Sequence, residues 1–126
     1  MNLLTPMETT LFQGEDSRIT LDLGTYTFTE LLDVIVGIKI DSTLVKTCKK
    51  TETGAEQIIV DADPNKCNVL IFRTETQLWE APDPPKVARL ILEVTLVIDD
   101  DDFPDGKHET ETIYLANFSP LATATA

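Results

Sequence analysis

The chain has 126 residues, 42% of them hydrophobic, and its 22 acidic against 10 basic residues give a formal net charge of −12. That length suits one domain with a core of its own, which needs neither disulfides nor a metal to hold it. Such an acidic excess repels phosphate, which argues against nucleic acid as a partner.

The longest nearly apolar run, residues 87–98, is broken by Arg89 and Glu93. It is too short to span a bilayer, so no membrane partner is expected. The opening MNLLTPMETT has no basic leader and no cleavable apolar segment, and does not read as a signal peptide. Without export the two cysteines, Cys48 and Cys67, are expected as reduced, partly buried thiols, with a bridge across adjacent strands as the alternative.

Hydrophobic periodicity then reads as β along most of the chain. In residues 17–23, Ile19, Leu21 and Leu23 alternate with Arg18, Thr20 and Asp22, the pattern of a half-buried strand. Val34, Val36, Ile38 and Ile40 repeat it, with Gly37 as a candidate bulge. A tight turn at Asp41, Ser42 and Thr43 joins that segment to residues 44–50 as a hairpin. Residues 57–60 form a short strand, closed by the turn chemistry of Asp63, Pro64 and Asn65. Residues 68–72 are apolar on both faces, as in a strand covered on both sides.

Residues 74–79 break the pattern. Thr74 is a plausible N-cap with Gln77 three positions on, which predicts one helical turn carrying Leu78 and Trp79 to the core edge. Pro82, Pro84 and Pro85 stop it. The longest strand follows at 86–98, with Leu90, Leu92, Val94, Leu96 and Ile98 on one face. A polar loop, 99–109, turns through Asp105 and Gly106 into a last strand at 110–118.

About seven short strands within roughly 100 residues predict an all-β, immunoglobulin-like β-sandwich. The Cys…Trp…Cys signature of antibody domains is absent. The predicted organisation is an N-terminal arm at 1–14, the sandwich at 15–118 and a C-terminal arm at 119–126, both arms flexible until a partner orders them. Leu3, Leu4, Met7, Leu11 and Phe12 lack periodicity and are the interface candidates.

Little in the sequence speaks for catalysis or cofactors. The acidic run Asp99, Asp100, Asp101 and Asp102, with Asp105, could hold Ca²⁺, but it fails the EF-hand spacing. With Asp101 at position 1, Phe103 and Thr112 fall where positions 3 and 12 need ligands. A solvated hairpin tip is the simpler reading. His108, the single histidine, reads as a surface loop residue with no nucleophile motif beside it. Trp79 reads as a core plug, and at least one of Tyr26 and Phe28 as core filling. No enzyme activity, cofactor or metal is therefore expected.

The succession DVIVGIKI, LVKTCKK, QIIVD, NVLIFRTETQLWE, VARLILEVTLVIDDD, DG and ETETIYLANF resembles the small immunoglobulin-like structural proteins of tailed bacteriophages. Those occur in tail, baseplate and head–tail gene clusters, including those of crAss-like phages of gut bacteria. The resemblance covers about residues 17–118 and is one of strand pattern. The chain departs from it in the proline-rich stretch at 82–85 and in the length of the acidic loop. It implies a non-enzymatic virion component, assembled in the bacterial host's cytoplasm. Its implied partners are other virion proteins and further copies of itself, in a symmetric assembly. A carbohydrate- or receptor-binding sandwich is the alternative, disfavoured by 6% aromatic content and a single tryptophan. A small hydrolase or metal enzyme is weaker still, because one histidine supplies no catalytic cluster.

Overall fold

Alternating side chains bury one face of a strand and leave the other to solvent, and here two sheets close their apolar faces on each other. The computed structural model describes residues 2–3, 10–79 and 87–119. Nine strands run through them: β1 (Asn2–Leu3), β2 (Thr10–Phe12), β3 (Ser17–Asp22), β4 (Asp33–Ile40), β5 (Thr43–Lys49), β6 (Ile58–Val60), β7 (Lys66–Ile71), β8 (Ala88–Asp99) and β9 (Lys107–Ser119). The larger sheet has the order β1-β9-β8-β4-β5, with β2 also on β9; the smaller is β3-β7-β6. β1 and β2 run parallel to β9, while the other pairings are antiparallel. The chain is an all-β, immunoglobulin-like sandwich, as its periodicity predicts.

The core follows that periodicity closely. Val34, Val36 and Ile38 of β4 stand opposite Leu96, Val94 and Leu92 of β8, and share one core with Ile19, Leu21, Val69 and Ile71 from the smaller sheet; all are at most 6% exposed. Full burial of one such side chain contributes about 1.5–3 kcal/mol. Phe28 joins the core, and Tyr26 packs partly against it. Trp79 plugs the end of the sandwich, its ring 5.7 Å from that of Phe118.

Several expectations need correction. The sandwich takes in parts of the predicted N-terminal arm rather than beginning at residue 15, because β1 and β2 both pair with β9, β2 in register from Thr10 opposite Asn117 to Phe12 opposite Ser119. Ser119 likewise belongs to β9 rather than to a C-terminal arm. The helical turn, α1 (Arg73–Thr76), has Phe72 rather than Thr74 at its N-cap. Phe72 has no side-chain acceptor, and the cap is made from the other side: Glu75 Oε1 accepts the Phe72 N–H at 3.0 Å. Leu78 is 83% exposed and does not follow Trp79 into the core.

Gly37 is in regular register, and the irregularity in the hairpin lies between Ile38 and Lys39. β8 and β9 pair out to Asp99 opposite Lys107, so the acidic loop is shorter than predicted and His108 is a strand residue opposite Ile98.

Candidate interaction surface

The interface candidates at the N-terminus separate by position. Leu11 is 0% exposed and belongs to the core cluster, so it is no contact for a partner. The cause is strand pairing: β9 offers a backbone edge, and once β2 pairs there, alternation turns Leu11 inward and Phe12, at 38% exposure, outward. The segment after β2 is tied down as well. The Gln13 N–H donates to Ser119 O and its Nε2 to Trp79 O, each at 2.9 Å. The Gly14 N–H donates to Thr76 Oγ1 at 2.9 Å, and the Arg73 N–H to Asp16 Oδ1 at 2.7 Å. For Leu3 the structure gives only a strand backbone opposite Ile113, and Leu4 and Met7 lie outside the described residues.

The outer face of the larger sheet carries a feature that sequence reasoning passed over. Ile91 and Leu115 sit opposite each other across β8 and β9, and Ile113 lies two residues along the same face. All three are half-buried. On the other flank Leu44, 56% exposed, stands opposite Lys39, which is itself opposite Ile91. A Lys39–Glu93 ion pair of 3.0 Å separates Leu44 from the other three, and Arg89, Thr95 and Asn117 border the trio of Ile91, Ile113 and Leu115. An apolar centre within a polar rim is the anatomy of a protein–protein contact. The signal was in the sequence: Ile91, Ile113 and Leu115 are apolar residues on the strand faces opposite the core.

Candidate chemical groups are placed elsewhere. At the acidic tip the Asp102 N–H donates to Asp100 Oδ1 at 3.0 Å, and the Asp100 N–H to Gly106 O at 2.9 Å, where Gly106 holds a φ of +73°. His108 Nδ1 lies 2.8 Å from Asp100 Oδ2 and the His108 ring stacks at 5.3 Å on Phe103. With the proton on Nδ1 that approach is a hydrogen bond; otherwise Nδ1 has no partner. The carboxylates of the tip are spread over a turn rather than converged. Among the described residues no group of three or more His, Cys, Asp or Glu side chains is arranged to hold a metal ion. Asp101→Asn is therefore expected to shift stability by less than about 0.5 kcal/mol in urea unfolding, with millimolar Ca²⁺ leaving the melting temperature of either chain unchanged.

Cys48 and Cys67 are free and fully buried. Burial pushes the Cys48 thiol up to about 11 and the Cys67 thiol up to about 12, so both stay protonated at neutral pH and are poor nucleophiles. Tyr114, raised to about 12 chiefly by burial, donates its hydroxyl to Asp22 O and links β9 to β3.

Two lysines act as internal ties. Lys50 Nζ donates to Phe28 O and Leu31 O, both at 2.6 Å, and fixes the loop before β4. Lys46 is buried between the sheets, where its Nζ donates to Leu70 O at 3.0 Å and meets Glu75 Oε1 at 2.5 Å. Compared with known proteins, the chain matches no family model and no curated sequence.

Proposed function

We propose that this chain is a non-enzymatic structural component of a tailed-phage virion, working through protein–protein contacts in a symmetric assembly. The observation that carries the contact role is the apolar patch of Ile91, Ile113 and Leu115 within its polar rim. The resemblance in strand order supplies the virion context. A rigid sandwich suits that role, because packed sheets hold such a face in one geometry and little ordering entropy is lost on docking. Edge strands offer further contacts by strand addition, as β2 already does within the chain by pairing with β9.

The test is a substitution that spares the core. Leu115→Arg places a charge on the outer face and leaves its inward neighbours Tyr114 and Ala116 in place. It is expected to keep the melting temperature within a few degrees while lowering recovery of the chain in purified particles at least tenfold. Normal recovery of a folded Leu115→Arg chain would move the contact to another surface.

A further inference from the structure

The two sheets do not close completely along their β3–β9 side. There a pocket of about 290 Å³ opens where β3 ends and the larger sheet continues. Its floor is apolar: Leu23, Val94 and Leu96 line it and are each at most 6% exposed. Its rim is polar, lined by Thr110 and Thr112 on one side and by Asp22 and Gly24 on the other. Asp22 is held in place from two directions. Its Oδ1 accepts the Gly24 N–H at 2.8 Å, and its backbone carbonyl accepts the Tyr114 hydroxyl. Among the described residues no Lys, Arg or His lines the pocket, and the chain as a whole carries −12.

Size and chemistry together narrow the occupant. Pockets that enclose whole drug-sized ligands run from roughly 300 to 1,000 Å³, and this one stands at the lower limit, with room for one long side chain. An apolar floor below a carboxylate and two hydroxyls matches a side chain with an aliphatic stem and a cationic head. The head would gain charge-assisted hydrogen bonds at Asp22. The surplus negative charge of the chain would draw such a group in from a distance.

We infer that this pocket seats one arginine or lysine side chain presented by a partner protein. The inference rests on the reading of the chain as an assembly component and names the chemistry of one contact. It makes the pocket a specificity element, in which a neutral side chain of the same length gains the floor and not the rim.

Two blocked peptides, acetyl-Gly-Ser-Arg-Ser-Gly-amide and the same peptide with glutamine in place of arginine, are titrated into the ¹⁵N-labelled full chain. The arginine peptide is expected to shift the amides of Gly24, Thr110 and Thr112 saturably, and to bind at least fivefold more tightly than the glutamine peptide. Asp22→Asn keeps an acceptor for the Gly24 N–H and removes the charge, so it should bring the two peptides level. Thr112→Leu, which fills the pocket with Asp22 still in place, should abolish both titrations, and unchanged binding would overturn the location.

Equal binding of the two peptides to the wild-type chain, or no saturable shift at those amides, overturns the inference. So does a hexose that moves the same amides while the arginine peptide does not, since that marks a carbohydrate site. The assembly reading is judged separately, by recovery in particles. No preference for arginine with normal recovery overturns the pocket alone. Arginine preference without recovery overturns the assembly reading and keeps the pocket.

Discussion

Replacing Leu11 with alanine is expected to cost about 2–5 kcal/mol of stability, the range for truncating a fully buried leucine. The neighbouring Phe12→Ala should cost well under half of that, because its side chain is 38% exposed. The contrast comes from pairing. β2 lies parallel on β9 with Leu11 opposite Phe118, and both side chains are 0% exposed. Removing three carbons from Leu11 leaves a void beside the plug that Phe118 and Trp79 make at this end of the sandwich. Hydrogen bonds from Gln13 and Gly14 to Trp79 and Thr76 hold the adjoining backbone in place, so the void cannot close by a shift of the segment. Urea unfolding of the two variants measures the difference directly. Equal and small losses would mean that this segment is an appendage to the sandwich rather than one of its strands. Deleting residues 1–14 removes the same contacts at once and should lower stability by at least as much as Leu11→Ala.

The inward faces of β3, β4 and β8 were legible because their alternation is nearly unbroken. Ile19, Leu21, Val34, Val36, Leu90 and Val94 could be set in the core from period two alone. Leu11 was not legible, since a three-residue strand such as β2 is too short to show a period, and what turns Leu11 inward is a register with β9 that lies over a hundred residues away. The cap at α1 was misplaced for a related reason. A Thr followed by Gln at the third position imitates a capping box, but Glu75 finds both the Phe72 N–H and the Lys46 ammonium, and that pair of partners fixes the turn two residues earlier. Of the interaction surface, the outward apolar residues are visible in the sequence, but their adjacency across β8 and β9 is a matter of register. The pocket between β3 and β9 needs the same long-range information. Sequence alternation says which face a residue takes; it does not say which strand lies beside it.

Glu75→Ala is expected to destabilise the chain by about 3 kcal/mol, the low end of the range for breaking a buried ion pair, because Glu75 is itself 25% exposed while the Lys46 it leaves behind is not. The Lys46 side chain is 3% exposed, projects from β5 into the gap between the sheets and meets Glu75 Oε1 at 2.5 Å. Its ammonium also donates to Leu70 O at 3.0 Å and lies 5.0 Å from the centre of the Phe72 ring. One carbonyl and an aromatic face do not offset the desolvation of a full charge, so the carboxylate is what makes burial of Lys46 tolerable. Glu75 has a second task, since the same Oε1 caps α1 by accepting the Phe72 N–H at 3.0 Å. Glu75→Gln separates the two: it retains an acceptor for that N–H, removes the charge, and should lose less than alanine. Replacing the pair together, Lys46→Met with Glu75→Leu, should recover most of the loss, because an apolar pair of similar volume leaves no charge stranded. Chemical unfolding of the single and double variants forms a cycle that isolates the coupling. A double variant as unstable as Glu75→Ala would mean that the hydrogen bonds around the pair, and not the stranded charge, set its contribution. A Glu75→Ala chain within about 1 kcal/mol of wild type would mean that water reaches Lys46, and that the open side of the sandwich at β5 is wetter than its 3% exposure implies.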